Sequence, residues 1–391
     1  MAILDAVSLE TSSAAPPPPA VPPDLAAARA RRRLFVILAA AMIVVISTTY
    51  LGLQWIEAAR PLWTEVTAES LLAALPRSGR PAQAIYRLES LAARDGWDGD
   101  RLRLAGDLYR ELGDVRAAAA YWERAAAYFP NDPVLLRRLA DVYLEIGEWT
   151  RAADILAHLR AVSPDSTPDD TWAAFQLGLI RASVSPSAAD DLRAAMIEPA
   201  YERIASQLIG VLSRPDDPLR VLRAGIVMAD AELWSAAELA FSYAASDPDP
   251  SVTALALAYG AFARDKQGKD GSLWINQAVT LAPDDARVRY LLGLHLRATR
   301  DFEGSLRALA AAAALDPSRP EIYAELGTAY WLTGDRVTGE YWLRHAIELS
   351  DGDPRYQTVL DSLLAEEANL LESLGIDLEA TAESTPDTLN P

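Results

Sequence analysis

Residues 99–132 read GDRLRLAGDLYRELGDVRAAAAYWERAAAYFPND, and residues 133–166 read PVLLRRLADVYLEIGEWTRAADILAHLRAVSPDS. Laid one over the other, the two stretches share a register. Leu102, Ala105, Gly106 and Tyr109 return as Leu136, Leu139, Ala140 and Tyr143, 34 residues later. Gly113 returns as Gly147, Ala118 as Ala152, and Pro130 as Pro164. Apolar residues three and four apart predict a helix. The glycine then breaks it, a second apolar stripe (Ala118, Trp122, Ala125) predicts another helix, and the proline ends that one. Each block is therefore a helical hairpin. A small residue at Gly106 or Ala140 lets its two helices approach closely, and a large one at Tyr109 or Tyr143 is expected to fill the gap beside it. No single hairpin can bury its apolar face, so neighbours must stack.

The register extends in both directions. Stepping back one period reaches 65, where Leu71, Leu75, Gly79, Ala84, Leu88 and Leu91 fit. In the C-terminal half, blocks begin at 218, 252, 286 and 320, and contain Gly225, Ala258, Gly293 and Gly327 respectively. Between 167 and 217 the spacing is longer. Trp172, Leu177 and Gly178 open a first helix, Ser185–Ala195 makes a degenerate second one, and a further helix near Glu198–Leu212 is expected to take up the surplus. This gives N-terminal repeat units over 57–166, a degenerate unit with an extra helix over 167–217, C-terminal units over 218–353 and a capping helix over 354–375.

These blocks resemble the tetratricopeptide repeat, whose pattern is W-x2-L-G-x2-Y, then A-x3-F, then P. The departure is Leu102, where that family often has tryptophan. The resemblance implies an all-α solenoid of hairpins wound in a right-handed superhelix. It also implies a concave groove, lined by the first helix of each hairpin, that binds protein or peptide partners. Carried onto this chain, the inward positions are Arg103, Asp107 and Arg110, then Arg137, Asp141 and Leu144, a stretch mostly charged and mixed in sign. In the C-terminal half they are Tyr290, Leu294, Arg297, Thr328 and Trp331. Two readings of Tyr290 and Trp331 stand: anchors of an interface, or packing against a neighbouring repeat. The family's clasp for chaperone C-terminal carboxylates is absent, because Asp107, Asp141, Ile226, Leu294 and Thr328 occupy the asparagine-type position.

Ahead of the repeats the composition changes twice. Residues 1–28 contain Pro16–Pro19, Pro22 and Pro23 and read as a disordered, proline-rich tail. Residues 29–56 place Arg29, Arg31, Arg32 and Arg33 before Leu34–Leu53, which holds no charged residue. A helix of about twenty residues spans about 30 Å, the thickness of the bilayer's hydrocarbon core. The arginines mark the cytoplasmic side, and Tyr50 and Trp55 suit the opposite interface. The reading is a single-pass, uncleaved anchor with a cytoplasmic N-terminus. It sets the repeats on the extracytoplasmic face of what the alanine- and arginine-rich composition suggests is a bacterial inner membrane. Residues 376–391 read as a disordered acidic tail.

Composition limits the function classes. Net charge is −19, from 36 basic and 55 acidic residues, which argues against nucleic acid as a partner. With no cysteine, thiolate metal sites, disulfides and catalytic thiols are excluded. Gly268–Lys269 lacks the rest of a phosphate loop, no G-x-S-x-G elbow occurs, and Asp95–Asp100 fails the calcium-loop pattern at Leu102. His158, His295 and His345 lie in different repeats, so no site built from them is expected. The expectation is a membrane-anchored scaffold without catalytic residues, metal or cofactor. The alternative is a non-catalytic subunit of a membrane enzyme or of an envelope polysaccharide or secretion complex.

Overall fold

The computed structural model describes residues 81–373, together with Met42, Ser47, Thr49 and Tyr50, which are helical. The chain divides into two units, 1–84 and 85–391. Among the described residues no helix is long and apolar enough to cross a membrane. The sequence-predicted anchor at 34–53, apart from those four residues, and both predicted tails lie outside the described residues, as does the predicted first helix near Leu71–Gly79.

The described residues form 17 α-helices, one short 3-10 turn and no strand. After α1 (Pro81–Asp95) come the hairpins α2 (Gly99–Glu111) with α3 (Val115–Ala126), and α4 (Pro133–Ile146) with α5 (Trp149–Val162). The long segment follows as α6 (Pro168–Ala182), the 3-10 turn Pro186–Ala188, α7 (Ala189–Ala195) and the surplus helix α8 (Pro199–Leu212). Then come α9 (Arg220–Asp230) with α10 (Trp234–Ala244), and α11 (Pro250–Lys266) with α12 (Ser272–Leu281). The last pairs are α13 (Ala286–Ala298) with α14 (Phe302–Leu315), and α15 (Pro320–Leu332) with α16 (Arg336–Leu349); α17 (Pro354–Ser373) closes the array.

Aspartates start many of these helices. Asp98, Asp114, Asp132, Asp249, Asp285, Asp301 and Asp335 each accept hydrogen bonds from amides of the first turn. Such caps satisfy donors that the helix cannot, at about 1 kcal/mol each. Proline at the first position of α4, α6, α8, α11 and α15 fixes φ without losing a helical bond. Gly147 ends α4 at φ +77°, a conformation an L side chain resists.

Inside each hairpin the small residue of the first helix faces a large residue of the second. A Cβ on Gly106 would overlap the indole of Trp122, and Gly225, Gly293 and Gly327 stand in the same relation to Phe241, Leu309 and Leu343. Trp122 is 3% exposed. Burying about 200 Å² of indole contributes about 5 kcal/mol at 25 cal/mol per Å².

The tyrosines do something else. The space beside Gly106 is filled by Trp122 rather than by Tyr109. Tyr109 stacks on Tyr121, with centroids 5.2 Å apart, and donates to Glu89 of α1 at 3.0 Å. Tyr143 likewise donates to Glu123 of α3. Each tyrosine thus reaches back to the preceding hairpin and ties two repeats together.

At the long segment the core continues through Phe175, which stacks on Tyr201 at 4.2 Å. Beside it, Asp191 is buried between two arginines, accepting from Arg160 at 2.5 Å and from Arg181 at 2.6 Å. Arg160 also holds Asp170 at 3.1 Å.

Candidate protein-binding groove

Helices α2 and α4 stand side by side, each the first helix of its hairpin. Between them lies an open cleft of about 580 Å³. Asp107, Arg110 and Glu111 line it from α2, Arg138, Asp141 and Glu145 line it from α4, and Trp122 and Val142 form its floor. Arg110, Glu111, Asp141 and Glu145 are exposed.

The charges in the cleft are arranged across the repeat boundary. Arg138 donates to Asp107 at 2.5 Å, and Trp122 Nε1 donates to the same carboxylate at 3.1 Å. Arg110 pairs with Glu145 at 2.6 Å. Exposed pairs like these contribute at most about 1 kcal/mol. Their larger effect is to hold the rim of the cleft in one geometry. Asp141 sits 3.5 Å from Arg137. Partial burial pushes its carboxyl up from the usual range, against the pull of the Arg137 and Arg110 charges. Four carboxylates against two guanidiniums leave the cleft net acidic.

The sequence-predicted groove residues divide. Asp107, Arg110 and Asp141 meet in the cleft. Arg103 turns to Asp100 at 3.1 Å and Asp132 at 3.3 Å, over the ring of Phe129. The Arg137 guanidinium sits over the ring of Trp172 of the next hairpin, 3.4 Å from its centroid, and pairs with Asp169 at 3.2 Å. The cleft arginine is its neighbour Arg138. The C-terminal set is more enclosed. Leu294 and Trp331 are 7% and 9% exposed, and Tyr290 packs against Leu309, Leu326 and Ala329. Burial drives the Tyr290 hydroxyl well above the ordinary tyrosine range. Thr328 donates to the Ala324 carbonyl of its own helix at 2.9 Å, and Arg297 pairs with Glu325 at 2.8 Å.

The histidines have separate surroundings. His158 faces Asn131 at 3.2 Å, and His345 meets Tyr323 and Trp342 edge-on. His295 is buried and lies between Asp265, 2.8 Å from Nδ1, and Ser272, 3.2 Å from Nε2. Neither partner was legible as such, because three separate helices supply the set.

Family models of the tetratricopeptide repeat match residues 109–176 and, in overlapping stretches, 275–320 and 290–354. No curated protein matches the chain. Among solved structures the chain is similar to a tetratricopeptide repeat protein from Parabacteroides merdae, at 11% identity over 76% of this chain and 97% of that one, with a TM-score of 0.32. It is similar to yeast Tom70 at 13% identity over 69% and 73%, with a TM-score of 0.30. It is also similar to MamA from Desulfovibrio magneticus RS-1 at 16% identity over 65% and 96%, with a TM-score of 0.22. The hairpins, the packing of small residues against large ones inside them and the family matches in both halves agree: the chain belongs to the tetratricopeptide repeat superfamily.

Proposed function

We propose that this protein is a membrane-tethered scaffold that holds a protein or peptide segment in the cleft between α2 and α4, on the extracytoplasmic face of a bacterial inner membrane. The observation that carries the binding part is the cleft itself: open, about 580 Å³, apolar at its floor and rimmed by exposed charges. The tether rests on the charge-free stretch Leu34–Leu53 and the arginines before it. A tether raises the effective concentration of the cleft near membrane partners without adding any contact.

The test is proximity labelling in native cells from a tag at the C-terminus. Wild type is compared with the double variant Glu111→Lys and Asp141→Lys, whose exposed side chains leave the core untouched. A defined set of envelope proteins, lost in the variant at equal expression and helicity, supports the proposal. A set unchanged by the variant removes the cleft from it. Labelling confined to cytoplasmic proteins removes the extracytoplasmic placement.

A further inference from the structure

Outside the groove, three side chains from three successive helices meet at one point. Asp265 lies near the end of α11, Ser272 opens α12, and His295 lies on α13. Asp265 Oδ2 is 2.8 Å from His295 Nδ1, and His295 Nε2 is 3.2 Å from Ser272 Oγ. The side chains of His295 and Asp265 are 6% and 8% exposed, whereas Ser272 is partly open to solvent.

A carboxylate can only accept, so Nδ1 is the donating nitrogen. That leaves the lone pair of Nε2 facing the serine hydroxyl. Carboxylate, imidazole and hydroxyl, in this order and at hydrogen-bond reach, are the arrangement that activates a serine. Asp265 is the positioning residue, His295 the base and Ser272 the attacking group. Two members are shielded and the third is partly open to solvent, as that chemistry requires.

We propose that Ser272 is an activated nucleophile that accepts an acyl group from an activated ester. In the step, Ser272 Oγ attacks the carbonyl carbon while Nε2 takes the hydroxyl proton. The bond from that carbon to the leaving oxygen then breaks, and the imidazolium returns the proton to the departing alcohol. The products are an ester on Ser272 and a free alcohol, with no change of oxidation state.

The surroundings narrow the donor. The Ser272 amide is committed to Asp270 Oδ1 at 2.8 Å, and the Trp274 and Ile275 amides to the Gly271 carbonyl. Few donors are left to stabilise an oxyanion, so esters with good leaving groups fit, and amides do not. Leu273, 66% exposed, offers apolar surface next to the hydroxyl. Asp270 is a rival acceptor. The Ser272 hydroxyl and then its amide hold the Asp270 carboxyl below its usual range.

The experiment uses the full chain, purified in detergent, with a fluorescent fluorophosphonate and with p-nitrophenyl acetate, and maps the adduct by mass spectrometry. The expected result is one adduct per chain, on Ser272, forming faster than any on the exposed Ser251. Ser272→Ala abolishes it. Asp265→Asn, whose amide can donate to Nδ1 and so place the proton on Nε2, slows it about 100-fold, the low end of what a positioned base supplies. Circular dichroism and thermal melting establish that both variants fold. Labelling of Ser272 no faster than of Ser251 in the wild type overturns the proposal without reference to any variant. So does labelling that a folded Asp265→Asn chain retains in full. In either case the three residues are a packing clasp between helices.

Discussion

One methyl group tests the packing of a hairpin. A Cβ at position 106 would overlap the indole of Trp122, which is buried and hydrogen-bonded to Asp107 and to the Arg103 carbonyl. Gly106→Ala must push the ring or the helix aside, although alanine is the better helix former by about 1 kcal/mol. Overpacking of this kind costs about 1–3 kcal/mol, so urea unfolding is expected to show a net loss of stability. A gain would mean that the ring moves freely. A second residue tests buried charge. Burial pushes the Glu325 carboxyl up, while the Arg297 and Lys266 charges pull the other way. Between the ordinary glutamate range, about 4.3, and its raised folded value, the fold holds a proton that the unfolded chain has released. Stability from this group therefore falls as pH rises through that window. Glu325→Gln mimics the protonated form and removes the charge that faces Arg297. Its melting temperature should exceed that of wild type most at pH 7 and converge with it near pH 4. A difference that grows on acidification would contradict the assignment. At this scale the small positions were legible in the sequence, because only close approach explains Gly106, Gly225, Gly293 and Gly327 in one register. The choice of Arg138 over Arg137 for the cleft was not. Adjacent helical residues point about 100° apart, and Trp172, one hairpin on, captures the Arg137 guanidinium.

At the scale of the helix, ends matter more than middles. Asp132 accepts from the amides of Val134 at 2.9 Å and Leu135 at 3.3 Å, and its other oxygen holds Arg103 of the preceding hairpin at 3.3 Å. It starts one helix and ties it to another hairpin. Asp132→Ala removes both functions and is expected to cost about 1–2 kcal/mol by chemical denaturation. Asp132→Asn keeps the cap and weakens only the partly exposed ion pair, so its cost should stay below about 1 kcal/mol. Equal losses in the two variants would show that the charge, and not the cap, does the stabilising. Most helix starts could be read from aspartate or proline at the turn. The tyrosine ties could have been read as well, since Tyr109 and Tyr143 follow Glu89 and Glu123 at the same spacing. They were missed because the repeat pattern draws attention to contacts within a hairpin, and this bond crosses between hairpins.

At the scale of the whole array, each hairpin touches mainly its neighbours, so stability is a sum of local terms and cooperativity depends on every joint. The long segment is the joint where the regular period fails. The α7 helix is short, and the surplus helix α8 intervenes before the register resumes. There, instead of a tyrosine tie, the structure places Asp191 between Arg160 and Arg181, with Arg160 also holding Asp170. Two of these bonds join α5 to α6 and α7. Asp191→Ala leaves two guanidiniums without their shared acceptor. Hydrogen bonds to charged groups are worth about 1.5–3 kcal/mol each, and both arginines can recover some hydration, so the net cost is expected to be about 2–3 kcal/mol. Because the loss falls at one joint, the more telling measurement is the shape of unfolding. Wild type should melt with both halves coupled. In the Asp191→Ala chain, tryptophan fluorescence, read separately from variants that keep only Trp122 or only Trp274, should give two separated midpoints. A single common midpoint shifted downward would mean that the Phe175–Tyr201 stack and the surrounding core carry the coupling, and that the charged cluster only adds stability to it.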